Sequence, residues 1–228
     1  MTMGLILLGI MVIALFFNVG KRAFSTLNAS TGIAFAVILL FAIGIIIPEI
    51  APNGAFYMNI GGFIMPILLS IVLFVSVVRR NNAISALVSM LAVVAVTAII
   101  LMLMPTANML LQILCSVEIG IVAGAVAYFI AKQPLESVFA LCSGVCVGNL
   151  VFSLVNYFVW GATAISLGNP IVYNALFISV LFVLVVNEIM AMLGKTAHVG
   201  NTRRTRSSFE SGKDEKHKSD DDYFTDLF

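Results

Sequence analysis

The few side chains in this sequence that could do chemistry lie mostly inside long apolar stretches. Residues 108–130 form one such stretch, with Glu118 near its middle. A second, residues 135–160, follows a short turn and carries Asn149 at a similar depth. An ionised carboxylate at the centre of a bilayer costs at least ~2.5–3.5 kcal/mol. We therefore expect Glu118 to be protonated, or to face a partner or a water-filled cavity.

The second stretch carries a polar stripe. At 3.6 residues per turn, about a third of the helix circumference holds Cys142, Cys146, Asn149, Ser153 and Asn156. The stripe could line a solvent path, or it could bond neighbouring helices together at ~0.6 kcal/mol per hydrogen bond. We expect Glu118 to lie near Asn149. The candidate intramembrane polar site comprises Glu118, Asn149, Ser153, Asn156 and Asn174.

Catalytic and metal-binding motifs are missing from the sequence. Both histidines, His198 and His217, fall in the polar C-terminal segment, and no HExxH or GxSxG motif or pair of intramembrane aspartates occurs. Metalloprotease, serine-protease and aspartyl-protease chemistries therefore lack their residues. The three cysteines are an odd number inside apolar stretches, which is typical of small buried hydrophobes. We expect no enzyme activity, no metal and no cofactor.

The composition is that of a membrane protein. Apolar residues make up 61% of the 228 residues and charged residues 10%, too few to cover a water-facing surface. The apolar stretches are apolar all round, so lipid or protein should lie on every side. The prediction is an all-α, polytopic membrane helix bundle with about seven spans of ~20 residues. These spans are 3–19, 31–47, 58–78, 83–104, 108–130, 135–160 and 171–193.

The basic residues predict the orientation, because Lys and Arg near a span hold that end on the cytoplasmic side. Lys and Arg occur only between spans one and two, three and four, and five and six, and after span seven. This alternation places the N-terminus outside and the C-terminus inside. No basic residue precedes the first span, so we interpret it as a retained helix rather than a signal peptide.

Glycines predict where helices pack closely. In span five, Gly120 and Gly124 form a GxxxG motif, and in span six Gly144 and Gly148 lie on a face apart from the polar stripe. Such small residues let helix backbones approach each other. Span five should be central in the bundle, because one of its faces packs against a neighbouring helix and the other must keep Glu118 away from lipid.

Two helix starts look irregular. Span three begins with the segment 57–62, which ends in paired glycines, and continues to Pro66; span seven also starts with glycine and asparagine next to a proline. This likeness is consistent with an internal repeat. Irregular backbone at membrane depth needs protein or a water cavity to satisfy it, and it is known from transporter sites. The alternative is a loop that ends in a helix with a tolerated proline.

Residues 1–194 are thus interpreted as the helix bundle and residues 195–228 as a disordered cytoplasmic tail. The tail begins with basic residues and ends with acidic and aromatic ones. Near the membrane, the basic part could bind anionic lipid at ~1 kcal/mol per charge. Its residues are Arg203, Arg204 and Arg206. The near-neutral net charge indicates no nucleic-acid partner, and no protein partner can be named.

Several motifs in order resemble an uncharacterised bacterial membrane protein family, a domain of unknown function found mainly in Firmicutes. They are Asn59-Ile60-Gly61-Gly62 with Pro66, Gly120-Ile121-Val122-Ala123-Gly124 with Val126-Ala127-Tyr128, and Gly144-Val145 with Gly148-Asn149-Leu150. The resemblance covers most of the membrane part and implies a bacterial inner-membrane location. The family often has Asp where this chain has Asn149 and Asn174, so a proton relay through these positions is not implied.

Two functions remain open from the sequence. Glu118, the polar stripe and the broken start of span three favour a small transporter or channel with an intramembrane carboxylate. The alternative is a non-transporting membrane scaffold or signalling protein that acts through its cytoplasmic tail.

Overall fold

The computed structural model describes residues 54–104 and 108–190, together with Gly9, Ile43, Gly44, Ile47, residues 49–52, Met192 and Leu193. Predicted spans one and two lie outside the described residues, apart from Gly9 and the three residues at 43, 44 and 47. The predicted tail, with its three arginines, lies outside them entirely. The contacts discussed below all belong to residues 1–188.

The described chain is dominated by five helices that are long and apolar enough to cross a membrane. A π-helical turn leads into the first of them. The elements are β1 (Phe56–Met58), the π-helical turn (Ile60–Ile64), α1 (Met65–Arg79), α2 (Ala83–Leu103), α3 (Met109–Ala131), α4 (Pro134–Phe158), β2 (Ile165–Leu167) and α5 (Pro170–Met190). Each helix, the π-helical turn included, ends within three residues of its predicted span. The all-α class is confirmed, with two three-residue strands that the sequence did not predict.

Tight turns make consecutive helices antiparallel neighbours. The α3–α4 turn contains only Lys132, at a φ of 60°, and Gln133. Pro134 then starts α4, where its missing N–H costs nothing and its fixed φ suits a first helical turn. The α1–α2 turn is similar, with Asn81 at a φ of 61°. Asparagine tolerates this left-handed region better than most residues.

Helix α4, and not α3, is central among the described helices. It contacts α1, α2, α3 and β2, and 67% of its most apolar stretch is buried, against 39% for α3. Span six is thus the most buried of the five described spans, and the prediction that span five is central in the whole bundle stays a prediction. α4 packs through both its small-residue face and its polar stripe, whereas α3 leaves the face that carries Glu118 exposed.

The predicted glycines lie at two close helix crossings. A Cβ added at Gly144 or Gly148 would lie 2.7 Å from the Cβ of Val93 or Thr97 on α2. A Cβ at Gly120 would lie 2.6 Å from the Cβ of Ile178 on α5, and Gly124 faces Phe182 of the same helix. Real Cβ atoms do not approach so closely, so α2 lies directly on α4, and α5 on α3.

Candidate functional site

Two extended segments lie side by side where two of the long helices begin. β1 and β2 pair in parallel, with Phe56 opposite Ile165 and Met58 opposite Leu167. Each strand leads directly into a helix of membrane-crossing length, β1 into the π-helical turn and α1, and β2 into α5. The chain therefore makes the same strand-to-helix transition twice, in the same direction.

The polar stripe of α4 holds β2 well inside the helix end. Ser153 Oγ donates to the carbonyl oxygen of Ser166 at 2.7 Å, and Asn149 Oδ1 accepts from the N–H of Gly168 at 3.1 Å. Asn149 is nine residues before the end of α4 at Phe158, roughly 13 Å along the helix axis. The backbone of residues 166–168 is therefore bonded to side chains of α4 that lie up to nine residues before the end of that helix.

Asparagine side chains cap both helix starts. Asn59 Oδ1 accepts from the N–H of Gly62 at 2.8 Å, and its own N–H donates to Leu167 at 3.0 Å. Asn169 Oδ1 accepts from the N–H of Val172 at 3.1 Å. An asparagine oxygen at a helix start satisfies an N–H group that has no partner within the helix. The two starts therefore carry the same kind of cap.

Glycine lets the two helix starts touch through their backbones. A Cβ added at Gly62 would overlap the carbonyl oxygen of Gly168, and one at Gly168 would lie 2.6 Å from the carbonyl carbon of Gly62. Gly44 approaches the same place, since a Cβ there would lie 2.7 Å from the Cα of Gly61. No larger residue fits at these contacts, so glycine here sets the distance between the segments.

The structure gathers some of the predicted polar residues and leaves others apart. Asn149 and Ser153 are buried together against β2, and Asn174 is buried in α5, four residues after Pro170. Asn156 is half-buried near the end of α4, where its carbonyl oxygen accepts from the N–H of Ala162 at 3.0 Å.

Glu118 does not join these residues. It is exposed on α3, beside the exposed side chains of Leu114, Ile121 and Val122. The Nδ2 atom of Asn149 has no hydrogen-bond partner, so the expected pairing of Glu118 with Asn149 is absent from the described chain. The reason is the helix period. α3 turns its Gly120 and Gly124 face towards α5, which leaves Glu118 on the outside.

Three buried polar atoms have no hydrogen-bond partner among the described residues. They are Thr97 Oγ1, Asn149 Nδ2 and Asn174 Oδ1. Their residues are 0%, 0% and 7% exposed, respectively. A buried polar atom without a partner costs about 1–3 kcal/mol. Each of them is therefore a candidate for an interaction that the described residues do not supply.

Sequence reasoning missed a second buried polar site at the opposite end of α4. Glu136 is 2% exposed in the first turn of α4, and Asn82 Nδ2 donates to its Oε1 at 2.6 Å. The sequence does point to Glu136, because an acid just after a proline marks a helix start, and the helix dipole favours negative charge there. Thr97 gives no such signal in the sequence, since a hydroxyl inside a helix usually bonds its own backbone.

Among the described residues, no group of three or more His, Cys, Asp or Glu side chains could hold a metal ion. Compared with protein-family models, with curated proteins and with solved structures, the chain matches none of them.

Proposed function

We propose that this protein is a small membrane transporter or channel whose site lies where β1, β2 and the stripe of α4 meet. One observation carries the proposal: extended backbone precedes two of the long helices and is bonded to the polar stripe of α4, whose Asn149 has a buried Nδ2 atom without a partner among the described residues. Transporters use discontinuous helices of this kind to bind substrates near the bilayer midplane. A scaffold would gain nothing from unpaired polar atoms in its interior.

The proposed site is centred on Asn149. Its side chain links α4 to the start of α5, and Ser153 and Asn59 complete the layer that supports the strands. Glu118 is left out because it lies on the exposed face of α3. The parallel direction of the two strand-to-helix units supports an internal repeat about an axis along the membrane normal, which is one of the known transporter arrangements.

We further propose seven spans in a bacterial cell membrane, with the N-terminus outside and Arg203, Arg204 and Arg206 near anionic lipid inside. The basic residues and the family resemblance support this topology. A cysteine replacing exposed Thr163 should react with a membrane-impermeant thiol reagent added outside intact cells. A cysteine replacing exposed Gln133 should react only after permeabilisation. The three native cysteines are buried and should give little background. The reverse labelling pattern would contradict the orientation.

The test of transport is solute flux through liposomes that contain the purified full-length protein. A panel of salts, amino acids, sugars and polyols should include at least one solute that crosses faster than in protein-free liposomes. We expect Glu118→Gln to keep this flux, because the side chain lies outside the proposed site. Removing residues 201–228 should keep it as well.

The scaffold alternative makes the opposite forecast for the same preparations. It expects no solute in the panel to exceed the protein-free rate, and it expects loss of cellular function when residues 201–228 are removed. A correctly folded, reconstituted protein that moves nothing would overturn the transport proposal.

A further inference from the structure

Glu118 places an acid on the outer surface of the described bundle. It is exposed on α3, nine residues after the helix begins at Met109 and thirteen before it ends at Ala131. Because α3 is long and apolar enough to cross a membrane, this carboxyl group lies near the middle of the span. Ionisable residues at that depth rarely face lipid, since contact with hydrocarbon is costly for them. The face that carries Glu118 therefore needs a cover that can form a hydrogen bond to a carboxyl group.

The exposed face around Glu118 is a regular seam of large side chains. Residues three or four apart lie on one face of a helix, and the exposed residues of α3 follow that spacing. This Glu118 seam consists of Leu110, Leu114, Glu118, Ile121 and Val122. Among the described helices, Glu118 is the only exposed charged side chain away from a helix end. The other exposed helix faces are suited to lipid, and the acid sets the seam apart from them.

The rest of the chain offers this carboxyl group no polar partner at the same depth. No Lys, Arg or His occurs within any of the seven predicted spans. Predicted spans one and two, which lie mostly outside the described residues, have polar side chains only next to their shared basic turn, at Asn18 and Thr31. A span of this chain laid on the seam would bury the carboxyl group against apolar atoms, which is costly without a hydrogen bond.

A second copy of the chain provides the missing partner. Both copies enter the membrane in the same orientation, because orientation follows the positions of Lys and Arg. A two-fold axis between them then runs along the membrane normal, and each residue close to the axis meets its own copy. Two carboxyl groups that meet can share one proton. Glu118 is thus complementary to itself, and the pair needs no basic residue.

We infer that two copies of this protein form a two-fold dimer through the Glu118 seam, with the two Glu118 carboxyl groups hydrogen-bonded to each other. The opposite face of α3 is not available for this contact, because Gly120 and Gly124 already pack against α5. The dimer goes beyond the proposed transport function and does not depend on it. In this arrangement Glu118 joins two copies and does not bind substrate.

Cysteine cross-linking in native membranes tests the interface. Leu114→Cys and Ile121→Cys each place a thiol in the seam, one on either side of Glu118, and mild oxidation should link two copies into a band of twice the mass of one chain. Ile99→Cys is the matched control. Ile99 is exposed on α2, four residues before that helix ends at Leu103, and thus about as far from the α2–α3 loop as Leu114. It should give no more dimer than the native chain, whose three cysteines are buried.

Energy transfer between labelled copies in liposomes measures the contribution of the carboxyl pair. Glu118→Leu keeps the seam filled but removes the hydrogen bond, and it should weaken association roughly three- to tenfold, as loss of one interhelical hydrogen bond would. Glu118→Gln keeps a donor and an acceptor on the side chain and should associate nearly as well as the native chain. Because Glu118 is exposed on the single chain, we expect both variants to keep the native unfolding midpoint in detergent.

Each contrary result overturns a stated part of the inference. Seam cross-links no stronger than those of Ile99→Cys would overturn the dimer. A seam cross-link to a protein of another mass would mean that a different protein covers the seam, and would overturn the second copy. Unchanged association of Glu118→Leu would overturn the carboxyl pair. None of these measurements uses solute flux, so failure of the dimer and failure of the transport function are distinguishable.

Discussion

Gly168→Ala is expected to destabilise the protein by about 3 kcal/mol or more, the sum of a strained backbone and an overpacked contact. Gly168 has a φ of +70°, and an added Cβ would lie 2.6–3.0 Å from the backbone of Gly62 and Phe63. The atoms in its way belong to another main chain, which cannot move aside as a flexible side chain would. Denaturant unfolding of the purified protein in detergent measures the effect.

Gly161→Ala is the control that separates the cost of the Gly168–Gly62 contact from the cost of the left-handed backbone conformation. Gly161 has the same φ of +70°, but nothing lies within 4 Å of its added Cβ. Its substitution should cost only the conformational strain, about 1–2 kcal/mol. If Gly168→Ala and Gly161→Ala destabilise the protein equally, the close contact between Gly62 and Gly168 adds no packing constraint. That result would contradict the described geometry of the helix starts.

Asn82→Ala is expected to cost about 2–3 kcal/mol, because it leaves a buried carboxylate without its donor. Glu136 is 2% exposed, and Asn82 Nδ2 lies 2.6 Å from its Oε1. This bond joins the α1–α2 turn to the start of α4. Glu136→Gln preserves an acceptor for Asn82 and should lose only the interaction of a charge with the helix start, about 0.3–1 kcal/mol.

A double-mutant cycle measures this pair directly. Glu136→Ala removes the buried carboxylate, so adding Asn82→Ala to it should cost much less than Asn82→Ala alone. Additive effects of the two substitutions would mean that the hydrogen bond contributes nothing to stability.

The sequence predicted the long helices well because membrane helices are specified by local properties. The apolar run of α2 and the proline that starts α4 set the ends of those elements without knowledge of their neighbours. The positions of Gly120 and Gly148 were likewise visible, because small residues at helical spacing mark one face of a single helix.

The candidate site was only partly predictable, since it depends on which faces meet. The stripe on α4 identified Asn149 and Ser153, but a helical period cannot tell whether Glu118 faces a neighbour or the outside. The pairing of β1 with β2 was hidden for a different reason: three-residue strands have too little pattern to be recognised, and their partners lie more than a hundred residues apart.

That separation has a consequence for how the protein assembles. Helices α1 to α4 each satisfy their own backbone and can enter the bilayer as they emerge. The edge of β1 that faces β2, in contrast, stays unpaired until β2 is made. The polar stripe of α4 is also exposed until Ser166 and Gly168 arrive. Closing so long a loop of chain is slow. The docking of β2 between β1 and α4 should therefore follow the insertion of α1 to α4, and it joins two strands from opposite halves of the chain.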